Sequence, residues 1–254
     1  MEKEIQQEKQ APKKQRKWWF RALKQVMKIR YKRPAFVYLG DKFQPGSVIL
    51  SNHEGTDAPM SLEIWNPTAI RMWGAHEMNS GLVKMYKYQT RVYYHEKKGW
   101  NLHLARLFCI IASPLTNLFY KGLNLISTYR DTRLMKTIRE SIETIKEGQS
   151  IVIYPEDSTN GYLSELEGFH AGFVLLCDSL KRKGIDVPVY VTYFKKNEKV
   201  YVIDKPIMYS ELTKDNPDKK TIAERLKNRC NELGQMSFDT EFIEKTKEEN
   251  KLDK

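Results

Sequence analysis

The chain has 254 residues, 41% of them hydrophobic, enough for one large domain or two small ones with a sizeable core. Its net charge of +11 is concentrated: residues 1–33 hold twelve Lys or Arg against three Glu, a balance of +9, while the other 221 residues balance at +2. A nearly neutral body argues against a nucleic-acid-binding fold, whose positive stripe spreads over the domain; three scattered cysteines, Cys109, Cys177 and Cys230, argue against a disulfide framework and for a reducing compartment.

Residues 1–16 are polar and without periodicity, and read as a mobile tail. In KWWFRALKQVMKIRYKRP (17–34), Trp19, Phe20, Leu23, Val26 and Met27 recur at helical spacing among Lys17, Arg21, Lys24, Lys28 and Arg30, and Pro34 ends the pattern. The same cations interrupt any signal-peptide core. Ten basic residues between 13 and 33 face no acidic one. Such a helix either lies at a membrane interface with its cations toward anionic lipid, or packs on the domain with a charged outer face.

From residue 36 the chain reads as strand, turn, strand: FVYLG and SVILSN flank DKFQPG, whose Pro45-Gly46 is a turn signal. Asn52-His53 then falls at a strand's carboxyl end, where open α/β sheets place their chemistry. AIRMWG (69–74) is a second strand and residues 80–123 are mainly helical. Within them LARLFCIIASPLTNLFY (104–120) is the most apolar stretch; Arg106, Pro114 and Asn117 make it too short and too interrupted to span a bilayer, so the default is a buried helix and the alternative an apolar lip against lipid. LNLIS (123–127) begins another strand–helix unit, with TRLMKTIRESIETIKEG (132–148) as its helix. SIVIYPED (150–157) has the continuous apolar character of a parallel strand buried on both faces. GFHAGFVLLCDSLKRKG is a helix, VPVYVTYFK (187–195) a strand, and VYVIDKPIMY a strand assigned to an edge because of Pro206. The chain from Thr221 is helical, then charged and frayed.

Strands alternating with helices predict an α/β fold. The expected organisation is a tail (1–16), a basic amphipathic helix (17–34), an α/β domain (35–235) and a charged helical or frayed tail (236–254). Three His-Glu pairs (His53-Glu54, His76-Glu77, His95-Glu96) lack a second ligand at helical spacing and read as solvated pairs, not metal sites. His53 and Asp57 are four apart, so if a helix starts there their Cβ atoms lie roughly 5 to 6 Å apart and a hydrogen bond between them is feasible. On their own they fit a catalytic pair or two polar residues of an ordinary loop.

The order of the motifs narrows the choice. SNHEGTDAP after a strand, LISTYR ending at Arg130, a buried strand ending in YPEDSTNG, then GFHAGF and VPVYV together resemble the glycerolipid acyltransferase family, which includes the bacterial 1-acyl-glycerol-3-phosphate acyltransferases. That family carries N-H-x4-D, a strand with an arginine, F-P-E-G-T-R-S, F-K-x-G and V-P-I-x-P-V. The resemblance runs from about Phe36 to Lys195 and implies a mixed, largely parallel sheet flanked by helices. It implies His53 as general base toward an acceptor hydroxyl, Asp57 as the group orienting it, and Arg130, Glu156, Ser158 and Asn160 as acceptor-binding residues. Phe169, Gly172 and Pro188 match the later motifs. Implied partners are acyl-CoA or acyl-carrier protein, a lipid acceptor and the anionic inner face of a membrane, with no metal or redox cofactor and no nucleic acid.

The departures are informative too. Asp57 follows His53 by four residues where the family has five, and E-G-T-R-S reads Glu156-Asp157-Ser158-Thr159-Asn160. Threonine cannot supply the bidentate fork of arginine, and an added carboxylate repels a dianion, so an acceptor without a phosphomonoester is expected. The stretch between His53 and Glu156 is also longer than in the family, with the insertion around residues 80–120. A non-catalytic lipid-binding relative and a thioester hydrolase are the nearest alternatives.

Overall fold

The computed structural model describes residues 16–252, apart from 130, 158 and 160. The tail assigned to residues 1–16 thus lies, save for Arg16, outside the described residues, as do Arg130, Ser158 and Asn160.

Eight strands make one sheet: β1 (Ala35–Tyr38), β2 (Val48–Ser51), β3 (Ile70–Ala75), β4 (Ile126–Thr128), β5 (Ser150–Ile153), β6 (Pro188–Lys195), β7 (Val200–Ile203) and β8 (Ile207–Met208). The order is β1-β7-β6-β2-β5-β3-β4, with β8 also on β6. All pairs are parallel except β6–β7 and β6–β8. The expected mixed, largely parallel α/β sheet is therefore present. Pairing across the sheet is not sequential: β1 and β2, though joined by the predicted turn, are separated by β7 and β6.

The helices are α1 (Trp18–Arg30), α2 (Asp57–Trp65), α3 (His76–Asn79), α4 (Leu82–Tyr88), a π-helix (Gln89–Lys97), α5 (Leu102–Leu123), α6 (Leu134–Lys146), α7 (Gly172–Lys181), α8 (Tyr209–Leu212), α9 (Lys219–Gln235) and α10 (Thr240–Leu252). Period-two alternation divides the core into two layers. Ile151 and Ile153 of β5 join Ile138 and Ile142 of α6, Phe173 of α7 and Leu226 of α9 on one face. Val152 joins Leu62 of α2 and Phe20 of α1 on the other. Apolar residues on both faces are what makes β5 a continuous apolar run in sequence.

Three expectations are corrected. VYVIDKPIMY is two strands, not one: β7 lies between β1 and β6 and is not an edge, while β8 pairs with β6 alone, and Pro206, which lacks an N–H, falls between them where no ladder bond is required. The terminal segment is not frayed over α10, which covers the true edge strand β1; Asn250 Oδ1 accepts from the Phe36 N–H at 2.7 Å, and Ile243 is buried. The apolar stretch around 104–120 is not a buried helix, nor, against the expectation, is it too short or too interrupted: by length and composition alone helix α5 could cross a bilayer. It forms one 22-residue helix that continues through Pro114 and leaves most of its large side chains exposed.

The basic helix α1 packs on the domain. Phe20 is fully buried, and its ring lies so close to Gly122 of α5 that a Cβ there would sit 2.0 Å from Cδ2. Gly122→Ala is accordingly expected to cost about 1 to 3 kcal/mol through overpacking, read as a lower urea midpoint, and Phe20→Leu in the same chain should recover part of it. Arg16 and Lys24 turn inward to Glu63 of α2, at 3.0 and 3.3 Å. Val26, expected on the apolar inner face, is exposed along with Trp18 and Ile29.

Candidate acid–base site at the carboxyl edge of the sheet

The site begins with Asn52, the residue after β2. Its side-chain amide donates to the Phe194 carbonyl at 3.1 Å, and its Oδ1 accepts from the Phe194 N–H at 2.7 Å. The side chain thus adds one rung to the β2–β6 ladder beyond Ser51 and Thr192, and fixes where the chain leaves the sheet. Glu54 (φ 42°) and Gly55 (φ 65°) are both left-handed, which turns the backbone sharply before α2 starts at Asp57.

That turn leaves His53 over the carboxyl edge. Its ring stacks on Tyr162, with centroids 5.0 Å apart and planes 20° from parallel, and meets Tyr154 edge-on at 4.9 Å. Nδ1 is buried and has no hydrogen-bond partner among the described residues. Burial pushes the imidazole pKa down to about 4; the nearby Lys97 charge acts in the same direction, and the backbone of Gly55 opposes. His53 is therefore neutral at pH 7.

Glu156 comes to the same place from β5. Pro155 and Glu156 pair with the strand-like segment 168–170: Glu156 bridges Phe169, the Asp157 N–H donates to the Gly168 carbonyl at 2.9 Å, and the His170 N–H to the Pro155 carbonyl at 2.7 Å. His170 itself is exposed. The Glu156 carboxyl is buried, its Oε1 has no partner among the described residues, and its pKa is pushed up to about 7. Burial is the main cause and Glu54 adds to it, while the His53 backbone and the Lys97 charge act against it. The two motifs, far apart in sequence, are brought together by the pairing of β2 with β5.

Asp57 is placed elsewhere. The resemblance has it orienting His53, yet its carboxylate lies 2.9 Å from Lys196 Nζ and 3.4 Å from Arg30 Nη1, away from the unpartnered Nδ1. The reason is local: helical i, i+4 geometry fails because residues 54 and 55 are left-handed and α2 begins only at Asp57. The dyad hydrogen bond is not made. Asp57 instead ties α1 and the end of β6 to the start of α2. Among the family-implied acceptor residues, Glu156 is in the site; Arg130, Ser158 and Asn160 fall outside the described residues. Thr159, standing where the family has arginine, donates its hydroxyl and N–H to Asp157 Oδ1 at 2.6 and 3.1 Å and closes a local turn.

Sequence reading missed Tyr154, Tyr162 and Lys97. Lys97 ends the π-helix, inside the sequence insertion, and lies 5.8 Å from the Tyr162 ring centroid. Tyr154 was findable, since it continues the period of Val152 toward the α2 layer; Lys97 in the charged run EKKGW carried no signal.

Fold and site together define an α/β protein with a neutral imidazole and a carboxyl of raised pKa following the carboxyl ends of two neighbouring parallel strands. Such a pair can take a proton from a bound hydroxyl at the ring and hold or release one at the carboxyl. No family model matches the sequence, and no curated protein matches it. Among solved structures, the 1-acyl-sn-glycerophosphate (LPA) acyltransferase PlsC from Thermotoga maritima is similar with a TM-score of 0.43 and 12% identity, over 86% of this chain and 80% of that one.

Proposed function

We propose that the protein is an acyltransferase, moving a fatty acyl group from an acyl thioester (acyl-CoA or acyl-carrier protein) to a hydroxyl of a lysophospholipid or glycerolipid acceptor. The reaction takes place at the anionic inner surface of a membrane. The observation that supports this reading is that His53, with its Nδ1 buried, and buried Glu156 follow the carboxyl ends of the adjacent parallel strands β2 and β5.

In the reaction, His53 removes the acceptor's hydroxyl proton as the oxygen attacks the thioester carbonyl carbon. The tetrahedral intermediate collapses with cleavage of the C–S bond, and the departing thiolate takes up the proton held on His53. A depressed pKa keeps the ring unprotonated and ready, at the cost of basicity. Asp57 is held by Lys196 and Arg30, so in this reading the acidic group that follows the neighbouring strand end, Glu156, takes the part of stabilising the imidazolium. The Asp157–Thr159 turn supports an acceptor without a phosphomonoester, since it holds a threonine at the family's arginine position and a carboxylate two residues before it.

His53→Ala is expected to lower kcat/KM by about 10²- to 10⁴-fold with labelled acyl-CoA or acyl-carrier protein across a panel of lysolipid acceptors. Full transfer by that variant would rule out the base. A wild-type protein that binds acyl lipid and never turns over would favour the non-catalytic reading, to which the unformed His53–Asp57 bond lends support.

A further inference from the structure

Helix α5 is built inside out for a water-soluble protein. The residues it turns inward toward α4 and the π-helix are small: Ala105, Cys109 and Ser113 are buried, with Ser113 donating to Gln89 Oε1 at 2.7 Å. Its large residues face outward, and Leu104, Leu107, Ile111, Leu115 and Leu118 repeat at spacings of three and four, a stripe along one side whose Ile111 is 74% exposed. An open trough of 820 Å³ runs beside that stripe, between Trp100 and Leu115. Small residues toward the helical neighbour and large apolar ones away from it is the packing of helices whose outer solvent is lipid.

The charges name the occupant. Helix α5 contains no acidic residue, and its two ionised side chains, Arg106 and Lys121, are both exposed and cationic, placed near opposite ends. At its N-terminal end Trp100 clusters with Tyr94 and Phe108, the amphipathic rings that settle at headgroup level. The inner partner is too polar for a spanning hairpin, since α4 and the π-helix bring Lys84, Lys87, Arg91 and Lys97 along the same length. A second copy of the chain would have to bring cations against cations. We infer that α5 lies in the plane of an anionic bilayer with its Leu104–Leu118 stripe in the acyl region, and that this helix rather than the basic helix α1 supplies most of the membrane affinity. The inward turn of Arg16 and Lys24 to Glu63 and the pairing of Arg30 with Asp57 leave α1 with less free charge than its sequence displays. The π-helix links this face to the chemistry, because it packs on α5 and ends at Lys97, beside Tyr162.

The inference rests on the membrane location proposed above and is separable from the chemistry. The full chain is sedimented with phosphatidylcholine vesicles and with phosphatidylcholine–phosphatidylglycerol vesicles, at low and high salt. Leu107→Gln with Ile111→Gln is expected to lower partitioning roughly tenfold or more, with an unchanged melting temperature because both side chains are exposed. Leu104→Gln with Leu115→Gln serves as the second variant should the first misfold. Lys17→Gln with Arg21→Gln, which removes exposed charge from α1, should leave most of the binding. Binding lost with the α1 charges and retained by both α5 variants would overturn the inference. So would a wild-type dimer in light scattering that binds no vesicles and becomes monomeric in the α5 variants. Vesicle binding that depends on α5 in a protein that acylates no acceptor would uphold the inference and sink the enzymatic reading alone.

Discussion

Glu156→Gln is expected to make the protein more stable at pH 8 by about 3 kcal/mol and to leave stability at pH 4 nearly unchanged. The folded protein raises this carboxyl from its ordinary value of 4.5 to about 7. Between those values the native state holds a proton that the unfolded chain has released, so stability falls as pH rises through the window, and the full penalty is present above pH 7. Glutamine cannot ionise and fills nearly the same volume. His53 acts in the opposite direction: its pKa falls from 6.5 to about 4 on folding, so stability falls as pH drops through that interval. In the wild type the two slopes oppose each other between about pH 4.5 and 6.5. In the variant only the histidine slope remains. Urea titrations of both proteins from pH 4 to 8 test this, and equal stability at pH 8 would show that Glu156 is not a destabilised carboxyl. The loss of the ionisable group near His53 should accompany a loss of acyl transfer, stability gained where activity is given up.

Arg16→Ala is expected to cost about 3 to 5 kcal/mol, because it leaves Glu63 deprived of its bidentate partner in a site where the carboxylate is fully buried. The guanidinium gives two bonds, Nε to Oε1 at 3.2 Å and Nη2 to Oε2 at 3.0 Å, and a third to the Ile70 carbonyl at 3.1 Å. Lys24 holds the same glutamate and its backbone carbonyl, at 3.3 and 3.0 Å, and cannot replace the fork alone. Exchanging all three together, with Arg16→Met, Lys24→Met and Glu63→Leu, should cost far less than the single change, since no buried charge is then left behind. A single variant as stable as the wild type in urea would mean that water reaches Glu63.

Much of the architecture was legible because the signals are local. Strand β5 announces itself as SIVI with apolar side chains for both layers, and His53 and Glu156 follow strand ends where α/β sheets gather polar groups. What could not be read depends on long-range pairing or on the absence of a neighbour. The position of β7 inside the sheet is set by β1, which arrives from 165 residues upstream in the register Ala35 with Val200. The loss of the His53–Asp57 bond follows from two left-handed residues between them, only one of which is glycine. The exposed face of helix α5 could not be read because composition reports that a side chain is apolar and is silent on whether it ends inside the protein or on its surface.

The partnership of β1 with β7, closed over by α10, also dictates the order in which the molecule can be completed during synthesis. Strand β1 has no partner among the described strands until residues 200–203 have emerged, and its outer edge stays open until Asn250 arrives to meet Phe36. An edge made early in the domain is therefore among the last to be closed.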